Sequence, residues 1–278
     1  MIDAHQHFWQ IGEHGCIWPP PELIPVYRHF VPADLEPLAQ AAGITGTVLV
    51  QSQESDADTD YLLCLADKSS LVNAVVGWVD LASPDAAIRI NGLAKHPKLR
   101  GLRPMLQSMP DDNWILRSQL EPAIAAMKVA QLSLDALVGV RHLPGLQVFA
   151  ERHPDLPIVI DHAAKPHIAG GEFQSWVTAL STLAVLPHVY CKLSGLVTEA
   201  AEHQGVEDLR PYVEQLYRLF GARRLMWASD WPVLNLAPNK GYASYGKWLA
   251  LAKHLLSGLS ARESEAVFEK TARDFYRF

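Results

Sequence analysis

The chain has 278 residues, of which 49 % are hydrophobic and 19 % charged, and its 24 Lys and Arg against 30 Asp and Glu give a net charge of −6. That length suits one large α/β domain with a sizeable core. No apolar run approaches the roughly 18 residues of a membrane span, and a mildly acidic chain without a basic cluster points to a small-molecule partner rather than nucleic acid.

Short apolar runs alternate with helical segments along the whole chain, the pattern of βαβ units around a parallel sheet. Strands are expected at Met1 to His5, Thr47 to Gln51, Ala74 to Val79, Leu99 to Arg103, Leu132 to Ala136, Pro157 to His162, Val189 to Ser194 and Leu225 to Asp230. Between the first strand and the first helix runs a loop from Phe8 to Val31. Its Trp9, Trp18, Tyr27 and Pro19-Pro20-Pro21 make it too apolar for disorder, so a folded flap over the sheet's mouth is expected. Helices follow near Pro32 to Ala42, ended by Gly43, then Ala57 to Lys68, Ser83 to His96, Arg117 to Ala130, Leu143 to His153, Glu172 to Leu186, Val206 to Phe220 and Tyr242 to Leu256. Ser260-Ala-Arg-Glu is a capping box opening a last helix to Phe278.

Eight β/α units without a linker-like break make residues 1–278 a single (β/α)8 TIM barrel with an N-terminal flap and an extra C-terminal helix. A doubly wound open sheet is the alternative, but it would place a glycine-rich phosphate loop where this chain has His-Gln-His-Phe-Trp-Gln-Ile-Gly. Cys16, Cys64 and Cys191 have no metal spacing and an odd count, so no disulfide framework is expected. With no leader-like first segment, the expected location is the cytoplasm. Oligomeric state is left open, a homo-oligomer included.

In such a barrel the active site lies at the C-terminal ends of the strands. Polar residues gather there: His5 and His7, on one side of a strand by their spacing; Gln51 and Gln53; Trp78 and Asp80; Arg103; Asp135; Asp161 and His162; Lys192 and Ser194; Ser229, Asp230 and Trp231. Charged groups entering a barrel interior need partners or a ligand.

Five blocks, Asp3-Ala-His-Gln-His-Phe-Trp, Arg100-Gly-Leu-Arg103, Ile160-Asp-His-Ala-Ala-Lys-Pro166, Cys191-Lys-Leu-Ser-Gly195 and Met226-Trp-Ala-Ser-Asp-Trp-Pro232, resemble the signatures of the amidohydrolase superfamily. The resemblance spans Asp3 to Pro232 and is strongest to the amidohydrolase-related branch that holds sugar lactonases of the L-fuconolactonase and L-rhamnonolactonase type. It implies that His5, His7, His162 and Asp230 bind one divalent metal, zinc being usual, with Asp230 also taking a proton from the attacking water. Imidazoles and a carboxylate are ordinary zinc ligands. Arg103 stands where better-known members have a bridging lysine or glutamate, and Asp135 where they often have a histidine, so a binuclear centre is not expected. Some lactonases of the branch work without metal, using the same residues as acid, base and hydrogen-bond donors, and both versions stay open.

The resemblance thus implies a lactonase of carbohydrate catabolism. Each residue also has a plainer reading. Asp230 is a general base or a helix N-cap; His162 is a ligand, an oxyanion-side donor or a satisfied core histidine. Arg103 clamps substrate or pairs with Asp135 or Asp161; Lys192 contacts substrate or pairs with a carboxylate. Trp9, Trp18, Trp78 and Trp231 offer aromatic faces to a sugar ring or simply pack. Gln51 and Gln53 bind hydroxyls, while Glu54, Asp56 and Asp58 read as a solvated loop and helix start. Ser194-Gly195 lacks the nucleophile elbow of serine hydrolases. A decarboxylase of an unsaturated acid on the same fold, and a sugar-acid binding protein without catalysis, are the competing functions.

Overall fold

The computed structural model describes residues 1–278. Eight parallel strands, β1 (Ile2–Gln6), β2 (Gly46–Val50), β3 (Val72–Gly77), β4 (Leu99–Leu102), β5 (Ser133–Ala136), β6 (Ile158–Ile160), β7 (Val189–Leu193) and β8 (Leu225–Trp227), lie in sequential order. Around them stand α1 (Pro32–Ala42), α2 (Asp56–Lys68), α3 (Ala86–Leu93), α4 (Glu121–Val129), α5 (Leu143–Arg152), α6 (Phe173–Ala184), α7 (Leu196–Glu199), α8 (Val206–Phe220) and α9 (Tyr245–Leu255). This is a (β/α)8 barrel, and none of its helices is long and apolar enough to cross a membrane.

The seam between β8 and β1 carries no continuous ladder. It is closed by the segment after β8, where Asp230 N–H donates to His5 O at 2.9 Å and His7 N–H to Trp231 O at 2.8 Å. Two distant pieces of chain are therefore stitched together at the point where each delivers its polar side chain.

One expectation gains detail and another is corrected. The last segment is helical throughout, as expected, but not uniformly α: α10 (Ala261–Glu265), capped by Ser260, passes through a π-turn at Ala266–Lys270 into α11 (Thr271–Tyr276). The turn lets Ala272, Phe275 and Tyr276 of α11 pack on Ile2, Val48, Ala74 and other inward-facing strand residues. The barrel floor is plugged by the chain's own end. Asp58 is not solvated: it is 1 % exposed, because its carboxylate accepts the N–H of Ser52 at 3.0 Å and bridges the end of β2 to α2.

β6 and β8 end before the residues expected to complete them. His162 (φ 51°) and Asp230 (φ 56°) both sit in the left-handed region that non-glycine residues rarely adopt. Such conformations persist where surrounding contacts enforce them, and they gather at functional sites.

Candidate active site

The geometry of β1 begins with Asp3. Its buried carboxylate accepts the His5 N–H at 3.2 Å, the Ser229 N–H at 2.8 Å, the Ser229 hydroxyl at 2.6 Å and the Tyr245 hydroxyl at 2.9 Å. Burial pushes this carboxyl up to about 6 against the lowering effect of those bonds. The pairing of β1 with β2 shifts register between Asp3 and Gln6, as a bulge does when it re-aims side chains. Asp3 reaches α9, whereas His5 and His7 meet the residues of the barrel interior.

His7 Nδ1 lies 2.8 Å from Val50 O. A carbonyl only accepts, so Nδ1 carries the proton and the Nε2 lone pair is free. His7 Nε2 is 3.1 Å from His5 Nε2 and 3.4 Å from Asp230 Oδ1, and His5 Nε2 is 3.7 Å from the same oxygen. His162 approaches from the opposite wall, its Nε2 3.8 Å from Asp230 Oδ1 and its Nδ1 2.8 Å from Ser194 Oγ. Gly195 makes this approach possible, since a Cβ on it would come within 2.5 Å of His162 Cβ.

Burial alone would raise the Asp230 carboxyl, but the neighbouring imidazoles, His162 first and then His7 and His5, outweigh it and hold the group well below the usual carboxylate range. Burial pushes His162 down to about 4 and holds His5 well below its ordinary value. At neutral pH this is an ionised carboxylate facing the neutral imidazoles of His5 and His162.

Below these groups lies a buried layer of charge. Asp161 Oδ2 is 3.3 Å from Arg103 Nη1, while Lys192 Nζ lies 2.9 Å from Asp161 Oδ1 and 2.6 Å from Asp135 Oδ2. Two cations and two carboxylates balance, as burial requires. Burial would raise Asp161, yet Lys192 and then His5 hold it well below the ordinary range; for Asp135 burial prevails and the carboxyl is raised. Arg103 also donates to Gln51 O, and Gln51 Nε2 returns a bond to Arg103 O at 2.9 Å. Both Arg103 and Lys192 are thus engaged with protein partners, the plainer of the two readings for each.

Among the expected contact residues, Trp9 is fully enclosed. Its Nε1–H donates to Arg28 O at 2.8 Å and its ring meets Trp18 and Phe30 edge to face. Trp231 is 3 % exposed and packs on Phe8 and Phe30. These rings anchor the flap, the packing side of the two readings given for each. Trp78 instead lines a cavity of about 360 Å³ with Glu54, Asp80, Pro104 and Trp114. Gln51 keeps an unpartnered buried Oε1. Asp3, Ser194, Ser229, Tyr245 and Tyr276 were given no site role from sequence. Asp3, Ser194 and Ser229 stand inside the recognised blocks, but Tyr276 carries no sequence signal at all.

His5, His7 and Asp230 offer two ring nitrogens and a carboxylate oxygen within 3.7 Å of one another. A tetrahedral cation with bonds of about 2.0–2.1 Å would set its ligand atoms about 3.3 Å apart. The three donors would fit such an ion, and His162, the fourth ligand the resemblance implied, stands with its Nε2 3.8 Å from Asp230 Oδ1. A (β/α)8 barrel with this His/Asp set at the C-terminal ends of its strands defines a hydrolase-type scaffold with a site for a divalent metal.

The chain belongs to the amidohydrolase family, whose description matches residues 2–278. It is 52 % identical over 277 residues to an L-fucono-1,5-lactonase of Burkholderia ambifaria, covering 99 % of this chain and 95 % of that one. An L-fucono-1,5-lactonase of Burkholderia multivorans is 39 % identical over 294 residues, with the same coverage of 99 % and 95 %. The crystal structure of an amidohydrolase from Burkholderia multivorans with bound zinc superimposes with a TM-score of 0.92 at 36 % identity, covering 100 % of this chain and 99 % of that one.

Proposed function

We propose that this protein hydrolyses a sugar-acid lactone, L-fucono-1,5-lactone or a close relative, to the open aldonic acid. The full-length 52 % identity to an L-fucono-1,5-lactonase carries this reading, and the chemistry of the site supports it. Asp230, ionised at neutral pH, accepts a proton as water attacks the lactone carbonyl. The ring C–O bond then breaks, and the same proton is delivered to the departing ring oxygen. His162, neutral above about pH 4 and oriented by Ser194, stands opposite as hydrogen-bond partner to the developing oxyanion. Arg103 and Lys192 act from below, holding His5 and Asp161 in place.

When bound at His5, His7 and Asp230, a divalent cation, which we take to be zinc, polarises the carbonyl and eases deprotonation of water. We assign substrate contacts to Gln51 and to the cavity beside Trp78 rather than to the enclosed Trp9 and Trp231. Three free thiols support a reducing, cytoplasmic setting.

The test is acid release from purified protein given L-fucono- and L-rhamnono-lactones, corrected for spontaneous opening. Rapid turnover of at least one is expected. No acceleration on any lactone, with carbon dioxide released from an unsaturated acid, would replace this reading by the decarboxylase.

A further inference from the structure

Beneath the triangle of His5, His7 and Asp230, a line of contacts runs down through the barrel and ends on α11. The Lys192 ammonium lies 3.0 Å from His5 Nδ1, 2.9 Å from Asp161 Oδ1 and 2.6 Å from Asp135 Oδ2. Ligation through His5 Nε2 puts the ring proton on Nδ1, and the acceptor facing it is Asp161 Oδ1 at 3.4 Å, the oxygen that the Lys192 ammonium holds. Asp135 Oδ2 also accepts the Tyr276 hydroxyl at 2.6 Å, and its other oxygen takes the Ser133 hydroxyl at 3.3 Å. The Tyr276 ring stands 5.6 Å from the same ammonium, within cation–π reach. His5, Asp135, Asp161, Lys192 and Tyr276 are all fully buried, so no solvent can replace a partner that is lost.

We propose that Tyr276 is a positioning residue of the active site: it fixes Asp135, Asp135 fixes Lys192, and Lys192 fixes Asp161, the carboxylate that faces Nδ1 of His5. The inference rests on the reading of His5 as a metal ligand given above. Packing alone does not require the hydroxyl. Ala272 and Phe275 plug the floor beside it, and a phenylalanine at 276 would fill nearly the same volume. What the phenol adds is a donor to the carboxylate that holds the lysine. Without it Asp135 keeps only Lys192 and a longer serine contact, the ammonium is drawn toward Asp135 and away from Asp161, and the hold of Asp161 on His5 Nδ1 slackens. The last helix of the chain thereby sets the orientation of a residue on the first strand.

The experiment compares full-length wild-type protein, Tyr276→Phe, and the control Tyr217→Phe, which removes a hydroxyl bonded to Glu263 at 2.7 Å on the outside of the barrel. Three quantities are read: the His5 ring-nitrogen signals in metal-free, 15N-histidine-labelled protein; zinc affinity by competition with a chromophoric chelator; and kcat and KM on L-fucono-1,5-lactone. Tyr276→Phe is expected to move the His5 signals, weaken zinc binding by about 10- to 100-fold as loss of support behind a ligand does, and lower kcat with KM changed by less than about twofold. Tyr217→Phe is expected to leave all three as in wild type. If Tyr276→Phe keeps wild-type His5 signals and zinc affinity, the proposal is overturned, whatever happens to its thermal stability. Should Tyr276→Phe fail to fold, Asp135→Asn is read by the same criteria. The first two readouts need no substrate, so they still decide the matter if wild-type protein turns over no lactone.

Discussion

At the scale of single residues, what distinguishes this site is the fixing of proton positions by partners that can only accept or only donate. Val50 O dictates that His7 carries its proton on Nδ1, freeing Nε2 toward His5 and Asp230. Replacing His7 by Gln removes that lone pair; equilibrium dialysis is expected to show zinc stoichiometry falling from about one to well below one with the fold intact, whereas undiminished binding would remove His7 from the ligand set. Arg103 is the counter-case, a buried cation whose loss leaves Asp161 underpaired. Arg103→Met is expected to cost about 3–5 kcal/mol in a denaturant melt; a cost under about 1 kcal/mol would show that Lys192 alone satisfies the layer. His5, His7, His162 and Asp230 could be named in the sequence because they stand in blocks that resemble a known family. Their support was less legible, since an aspartate such as Asp3 reads alike whether it binds water or ties a strand bulge to Ser229 and Tyr245.

At the scale of elements, strand and helix order followed from the alternation of apolar runs, and α8 runs over the expected Val206–Phe220. The misjudged features share a cause: tertiary contacts overrode local pattern. β6 and β8 stop early because His162 and Asp230 are turned into the left-handed region to face the mouth, and hydrophobic periodicity carries no information about that turn. Asp58 looked like a solvated residue of a helix first turn, yet burial raises its carboxyl from 3.8 to about 6, with the Ser52 bonds opposing. The folded state then holds its proton more tightly than the unfolded chain, so the associated stability is present below about pH 4 and lost as pH rises to about 6. The loss is about 3 kcal/mol at most. Asp58→Asn removes this ionisation. Thermal unfolding between pH 4 and pH 7 is expected to show the variant gaining on wild type as pH rises, and parallel curves would refute the assignment.

At the scale of the molecule, the barrel is closed twice by its own ends. The seam between β8 and β1 is stitched by Asp230 and Trp231 to His5 and His7, and the floor is plugged by α11. The first closure builds the site and the second seals the layer of charge beneath it. Nothing in residues 260–278 read in isolation announced the second, because a π-turn and the inward aim of Tyr276 depend on where the helix lands. Phe275→Ala should open a cavity in the plug and destabilise the fold by about 3–5 kcal/mol in a chemical denaturation experiment; a neutral result would mean that the floor is held by other contacts.

These scales meet at Asp230, which shapes the seam through its backbone and is assigned the proton from water through its side chain. The most direct measurement is kcat/KM for L-fucono-1,5-lactone opening by wild-type and Asp230→Asn protein at neutral pH, each corrected for the enzyme-free rate. A drop of about 10²- to 10⁴-fold in a folded variant is the predicted result. Asp230→Asn protein as fast as wild type would contradict the account.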